Sequence, residues 1–218
     1  MEADFWHNRW ENNLTGFHLD EVNPHLVANW SALNMKPHAR VLVPLCGKSV
    51  DLIWLAEQGH HVMGIELSHL AVEAFFTENK IIAERQQLGK LELWKSEKIS
   101  MFCGDVFDLN ADILGKVGAV YDRASLIALP PAMRNDYAVK LMELAQSSPK
   151  LLITLEYDQS KMDGPPFSVS EAEIRTLYGT QYQVKQITAQ DVLVDNEKFR
   201  DKGLDYMNEC VYQLDKLS

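Results

Sequence analysis

The amino-acid sequence predicts a doubly wound α/β fold on a mostly parallel sheet, and three observations predict it. Apolar, β-branched runs of strand length alternate with helix-spaced patterns from about residue 40 onward, as crossover-connected parallel strands require. The clearest runs are apolar at successive positions, which suits strands covered on both faces. The last two runs have no full helix between them, which predicts an antiparallel hairpin on the sheet edge.

The first 38 residues lie outside the alternation. They are dense in rings, with Phe5, Trp6, Trp10 and Phe17 beside His7 and His18. Trp6 and Trp10 are four apart and would share one helix face. That face suits either packing on the sheet edge or a lid that keeps water from a site. ARVLVPL (39–45) then reads as the first strand, and Val50, Ile53 and Trp54 recur at helical spacing until Gly59 stops the pattern. HHVMGIE (60–66) reads as the second strand. Ser68 is a helix N-cap, followed by Ala71, Ala74 and Phe75 on one face.

ISMFCGD (99–105) and GAVYDR (118–123) read as the third and fourth strands. Pro130-Pro131 opens a helix, because proline suits the first helical position, and Tyr137, Leu141, Leu144 and Ala145 mark its inner side. KLLITLEY (150–157) is the clearest strand. Ser170 and Glu173 make a capping box for a short helix ending near Gly179. QYQVKQI and DYMNECVYQL close the chain. With no internal repeat, low-complexity tract or long linker, residues 1–218 read as one domain, with 1–38 as an N-terminal lid segment.

Of the 218 residues, 46% are hydrophobic and 24% charged, and 31 acidic against 21 basic side chains leave a formal net charge of −10. Duplex-binding proteins gain affinity by neutralising phosphates with Lys and Arg. An acidic chain without a basic run gains little of that, which disfavours nucleic acid and anionic membrane and favours a small-molecule partner. Cys46, Cys103 and Cys210 suit neither a disulfide framework nor a CxxC metal site. The seven histidines show no HxxxH or HExxH spacing, so no metal is expected. The N-terminus, MEADFWHNRWENN, lacks secretory character, and no apolar run nears the ~20 residues that span a bilayer. The expectation is a cytoplasmic protein with reduced thiols, monomeric because no apolar surface stripe is evident.

Ligands of doubly wound sheets bind beyond the carboxyl ends of the strands, where strand order reverses. After the first strand comes Pro44-Leu45-Cys46-Gly47-Lys48-Ser49. Gly47 can take a positive φ and let backbone approach a ligand; alone, the turn fits an ordinary strand-to-helix connection equally well. After the second strand stands Glu66, 66 − 47 = 19 residues past Gly47, where nucleotide-binding α/β proteins place an acceptor for ribose hydroxyls. Turn and acid together point to an adenosine ligand. Asp105-Val106-Phe107 follows the third strand, where an adenine ring would lie, although core packing accounts for the two apolar residues as well. After the fourth comes Asp122-Arg123-Ala124-Ser125. Amino-directed base methyltransferases usually carry Asn/Asp-Pro-Pro-aromatic there, so an amino acceptor is disfavoured.

These residues resemble the thiopurine S-methyltransferase family. The run Val43 to Ser49, then Gly64-Ile65-Glu66-Leu67-Ser68, Phe107-Asp108-Leu109, Tyr121-Asp122-Arg123-Ala124 and Leu129-Pro130-Pro131 occur in the family's order, after Trp6-x-x-x-Trp10 and Gly16-Phe17-His18. The PLCGK turn is distinctive, because most methyltransferases of this fold have a more glycine-rich loop. The likeness spans about Phe5 to Leu214 and is weakest over 160–200. It implies a Rossmann-like methyltransferase fold with a seven-stranded, mostly parallel sheet. It also implies S-adenosyl-L-methionine as cofactor and the sulfur of small aromatic or heterocyclic thiols as methyl acceptor. Some relatives are associated with selenium and tellurium species too.

Carried over by position, Trp10, Leu45, Glu66 and Arg123 would touch the cofactor, beside Gly47 of the turn. Asp105 and Val106 fall at the adenine-binding pair, with Asp105 in place of a Ser that some relatives carry. Phe17 would contact the acceptor, and Arg123 and Arg200 would orient it. A thiol of pKa ~8.5 is already partly ionised at neutral pH, and aryl thiols are more acidic. No catalytic base is therefore assigned, and the two arginines would favour the thiolate. Two rivals share the strand–turn–acid logic. A nicotinamide-dependent oxidoreductase would want more glycines after the first strand and a Tyr/Lys pair near the fourth. A non-catalytic adenosine-binding module would bind cofactor without turnover.

Overall fold

The apolar runs pair edge to edge and bury both faces. In the computed structural model, which describes residues 3–146 and 148–217, the helices are α1 (Ala3–Glu11), α2 (Pro24–Asn29), α3 (Asp51–Glu57), α4 (His69–Glu78), α5 (Ala111–Leu114), α6 (Ser125–Ala128), α7 (Pro131–Ala145), α8 (Glu171–Tyr178) and α9 (Glu197–Arg200). The strands are β1 (Arg40–Pro44), β2 (His61–Glu66), β3 (Glu84–Leu88), β4 (Leu91–Lys95), β5 (Ile99–Cys103), β6 (Ala119–Arg123), β7 (Lys150–Glu156), β8 (Tyr182–Asp191) and β9 (Asn208–Lys216). They form one sheet in the order β3-β4-β5-β2-β1-β6-β7-β9-β8.

β5, β2, β1, β6 and β7 are parallel, and β9 and β8 follow as the antiparallel edge hairpin. These seven strands match the expected sheet. Among the described residues the sheet nevertheless has nine strands rather than seven: β3 pairs antiparallel with β4, and β4 antiparallel with β5. Glu84-Arg85-Gln86-Gln87 carry no β-branched or apolar side chain, so the alternation of apolar runs predicts no strand there. The hairpin closes through a two-residue turn with Gly89 at φ +62°, and its apolar residues, Leu91 and Trp94, are buried against β5 and α4.

Side chains of β1 alternate between two cores. Leu42 joins Val120, Leu152, Tyr137 and Leu141 beneath α7, while Val41 and Val43 join Leu52, Leu55, Phe75 and Tyr121 beneath α3 and α4. The face of α3 differs from the expected one. Leu52, Leu55 and Ala56 are buried, and Ile53 and Trp54 are partly buried at the margin. Asp51 takes the inner position because it has polar partners there, described below.

The expected caps form. Ser68 Oγ accepts from Ala71 N–H, and Pro131 occupies the first turn of α7. Ser170 Oγ accepts from Glu173 N–H at 3.2 Å, but the Glu173 carboxylate turns away to Arg134 at 2.7 Å. Arg134, on α7, is only 1% exposed. Its Nε donates to the carbonyls of Leu126 and Leu129, and its Nη1 to Ser168 O and Glu173. One guanidinium thus holds the α6–α7 corner whose Ile127, Ala128 and Leu129 line the cavity described next. Removing one partner of a buried charge network costs about 3–5 kcal/mol. Arg134→Met is therefore expected to lower the urea-unfolding free energy by about 3 kcal/mol, whereas a loss near that of a control at the exposed Asp136, Asp136→Ala, would show that Arg134 does not hold this corner.

Candidate active site

Strand order reverses between β1 and β6, and the backbone is strained where both strands end. Leu45 and Ala124 hold φ of 46° and 67°, left-handed conformations that cost a non-glycine residue about 1 kcal/mol or more. Between these ends opens a cavity of about 630 Å³, within the size range of small-molecule and cofactor sites.

Glu66, the last residue of β2, is 7% exposed and lines this cavity. Its Oε2 accepts from Gly47 N–H at 2.9 Å and its Oε1 from Ser68 N–H at 2.8 Å. Burial raises its pKa, against the opposing effect of those N–H groups. Each carboxylate oxygen retains a further lone pair. The side chain therefore offers two acceptor positions toward the cavity, the number that a vicinal diol such as ribose can fill. Gly47, at φ +54°, carries no Cβ where Trp10 Cζ2 stands 3.2 Å away, so the turn and the lid ring pack directly.

The N-terminal segment presents the aromatic face anticipated from the sequence. Trp6 and Trp10 of α1 both meet Phe17 edge-on, with ring centroids 5.8 and 5.5 Å apart. The appendage is pinned from below by Asp51. Its Oδ1 accepts from Asn23 N–H at 2.8 Å and its Oδ2 from the Tyr121 hydroxyl at 2.9 Å, while Asn23 Oδ1 caps α2 through His25 and Leu26 N–H. Asp105 Oδ1 caps the turn Val106–Asp108 by accepting from Phe107 N–H, with Val106 buried and Phe107 partly exposed on the cavity wall.

The structure brings Trp10, Phe17, Leu45, Gly47, Glu66, Asp105, Val106 and Arg123 to this one cavity. The Arg123 guanidinium forms no ion pair among the described residues. Arg200 departs from expectation. It lies outside the lining, and its Nη2 meets Glu197 3.1 Å away on the surface of α9, because the carboxylate three residues earlier is a nearer partner than the cavity. Lys198 and Lys202 line the cavity instead.

The sequence reading also missed Asp51 and Tyr121. Their only signal is the polar residue on the inner face of α3. Burial raises the pKa of the Cys46 thiol and pushes Cys103 up to about 11, so neither is a ready nucleophile. Burial likewise brings Asp122, next to Arg123, up to about 6. His18, at the lid, has its pKa lowered by burial and by Lys48.

The sequence model of the family described as thiopurine S-methyltransferase (TPMT) matches residues 1–217. The chain is 49% identical over 215 residues to the thiopurine S-methyltransferase of Pseudomonas entomophila (strain L48), covering 98% of this chain and 99% of that one. It is 46% identical over 217 residues to that of Bordetella petrii, covering 99% of each. In structure it resembles the Burkholderia thailandensis 1,6-didemethyltoxoflavin-N1-methyltransferase solved with S-adenosylhomocysteine, with TM-score 0.66 and 17% identity over 99% of this chain and 87% of that one. It also resembles the Synechocystis magnesium protoporphyrin IX methyltransferase solved with S-adenosylmethionine, with TM-score 0.63 and 17% identity over 98% and 96%. The full-length sequence match, on a fold shared with cofactor-bound methyltransferases, settles the kinship: the chain belongs to the thiopurine S-methyltransferase family.

Proposed function

We propose that this protein is an S-adenosyl-L-methionine-dependent methyltransferase acting on the sulfur of small aromatic or heterocyclic thiols. Family membership supports the sulfur acceptor. The observation that carries the cofactor half is the buried Glu66 carboxylate, joined to the Gly47 turn and facing the cavity with two acceptor positions. We read residues 1–218 as one methyltransferase domain with residues 1–38 as its lid, working as a cytoplasmic monomer. Among the described residues no helix is long and apolar enough to cross a membrane, and the exposed large apolar side chains are scattered over many elements.

When bound, S-adenosyl-L-methionine supplies a methyl group made electrophilic by its sulfonium sulfur. Glu66 would hold the ribose hydroxyls as their acceptor, beside the Leu45–Gly47 turn. Val106 would pack on the adenine and Asp105 would accept from its amine. Trp10 would offer its ring to the positive sulfonium and, with Phe17, would exclude water. Arg123 would hold the donor's carboxylate with part of its five-donor fork and favour the thiolate over the thiol by its charge. Because thiolates are strong nucleophiles, alignment does most of the catalytic work and no residue is needed as a strong base. Arg200, turned outward to Glu197, has no part in this arrangement.

Two measurements test this. Glu66→Gln leaves an amide that can accept from only one of the two backbone N–H groups, so the Kd for S-adenosylhomocysteine by calorimetry is expected to rise about 100-fold; an unchanged Kd would remove Glu66 from cofactor binding. In a labelled-methyl assay with aryl thiols, Arg123→Met is expected to lower kcat/KM about tenfold or more. The loss should be steepest at acid pH, where thiolate is scarce. A parallel pH profile would discard the electrostatic role, and transfer only to nitrogen or oxygen acceptors would discard the sulfur assignment.

A further inference from the structure

The charges lining the cavity are compensated unevenly. Every lining carboxylate has a partner. Glu66 and Asp51 accept the hydrogen bonds described above, Asp105 accepts from Phe107 N–H, and Glu209 meets His25 Nε2 at 3.0 Å. Among the lining cations, Lys48 pairs with Glu78 at 2.7 Å. Arg9, Arg123, Lys198 and Lys202 meet no carboxylate among the described residues. In a chain with ten more acids than bases, this is a local surplus of positive charge.

The two lysines stand together. Their Nζ atoms lie 5.0 and 5.9 Å from the centroid of the Phe199 ring between them. Lys198 Nζ comes within 3.6 Å of the space beside Gly16, next to the lid's Phe17. Among the described residues, Lys202 Nζ has only Met162 Sδ, at 3.7 Å, as a polar contact. Two nearby carboxylates are otherwise engaged, Glu197 by Arg200 and Asp205 by Lys161, while Asp195 and Asp201 form no ion pair among the described residues. The methyl donor brings one anionic group, its carboxylate, and Arg123 suffices for that.

We propose that Lys198 and Lys202 form a subsite for an anionic substituent of the acceptor, remote from its sulfur, so that carboxylated aryl thiols are the preferred substrate class. The proposal rests on the S-methyltransferase reading above and deepens it. Phe199 provides the apolar surface beside the pair, and the lid rings cover the acceptor's body. Both lysines are exposed, so the attraction is moderate and screened by salt.

The test compares 4-mercaptobenzoate with 4-methylthiophenol, matched in shape and differing in charge, in a labelled-methyl assay. The wild-type protein is expected to favour the carboxylate by about tenfold in kcat/KM at low ionic strength, shrinking several-fold in strong salt. Lys198→Met/Lys202→Met is expected to abolish most of that preference, and Lys198→Arg/Lys202→Arg to keep it. A preference within about twofold of wild type in the methionine variant, or one lost equally in the arginine variant, would overturn the subsite while leaving S-methylation standing. Failure of the wild-type protein to methylate either thiol would overturn both readings.

Discussion

The carboxylate of Glu66 ties the carboxyl ends of β1 and β2 together, and the rest of the site is arranged around it. It spans the Gly47 turn on one side and the start of α4 at Ser68 on the other. A buried charge left without partners would be expelled or neutralised. These two backbone N–H groups keep it in place, at the cost of the raised pKa that burial imposes. The hydrogen bonds that organise the loops therefore also aim the acceptor that the ligand meets.

A second carboxylate does the corresponding work one layer away. Asp51 joins β6, α3 and the start of α2 through Tyr121 and Asn23, so the N-terminal segment is anchored to the sheet rather than tethered only by its chain. Trp10 can then rest on Gly47, and Phe17 on both tryptophans. Two buried acids, each satisfied by neutral donors, thus position the floor and the cover of one cavity without adding ion pairs to it. The cations lining that cavity are left to face what enters.

The sheet core and most of the cofactor side were legible because their signals are local. β-branched runs, one glycine turn and an acid 19 residues on specify strands and their carboxyl ends directly. What was not legible depends on distance in space. The β3–β4 hairpin is held by Leu91 and Trp94 against β5 and α4, contacts that a polar sequence does not advertise. Asp51 carries no local signal of its role, because its partners lie 28 and 70 residues away. Arg200 matched by position, yet in the folded chain a neighbouring glutamate claims it and the lysines two residues to either side line the cavity. Side-chain direction in a short helix is settled by such local competition.

The same hairpin has a consequence for how copies of this chain coexist. Without it the sheet would end at β5, whose Ile99, Met101 and Phe102 are buried, an apolar border open to any passing strand. β3 instead sets a fringe of Glu84, Arg85, Gln86 and Gln87 in water, with Arg85 lying 3.5 Å over the Trp94 ring. Charged and polar outer strands discourage edge-to-edge stacking. The hairpin is thus a guard against aggregation, carried at the opposite end of the sheet from the β9–β8 hairpin.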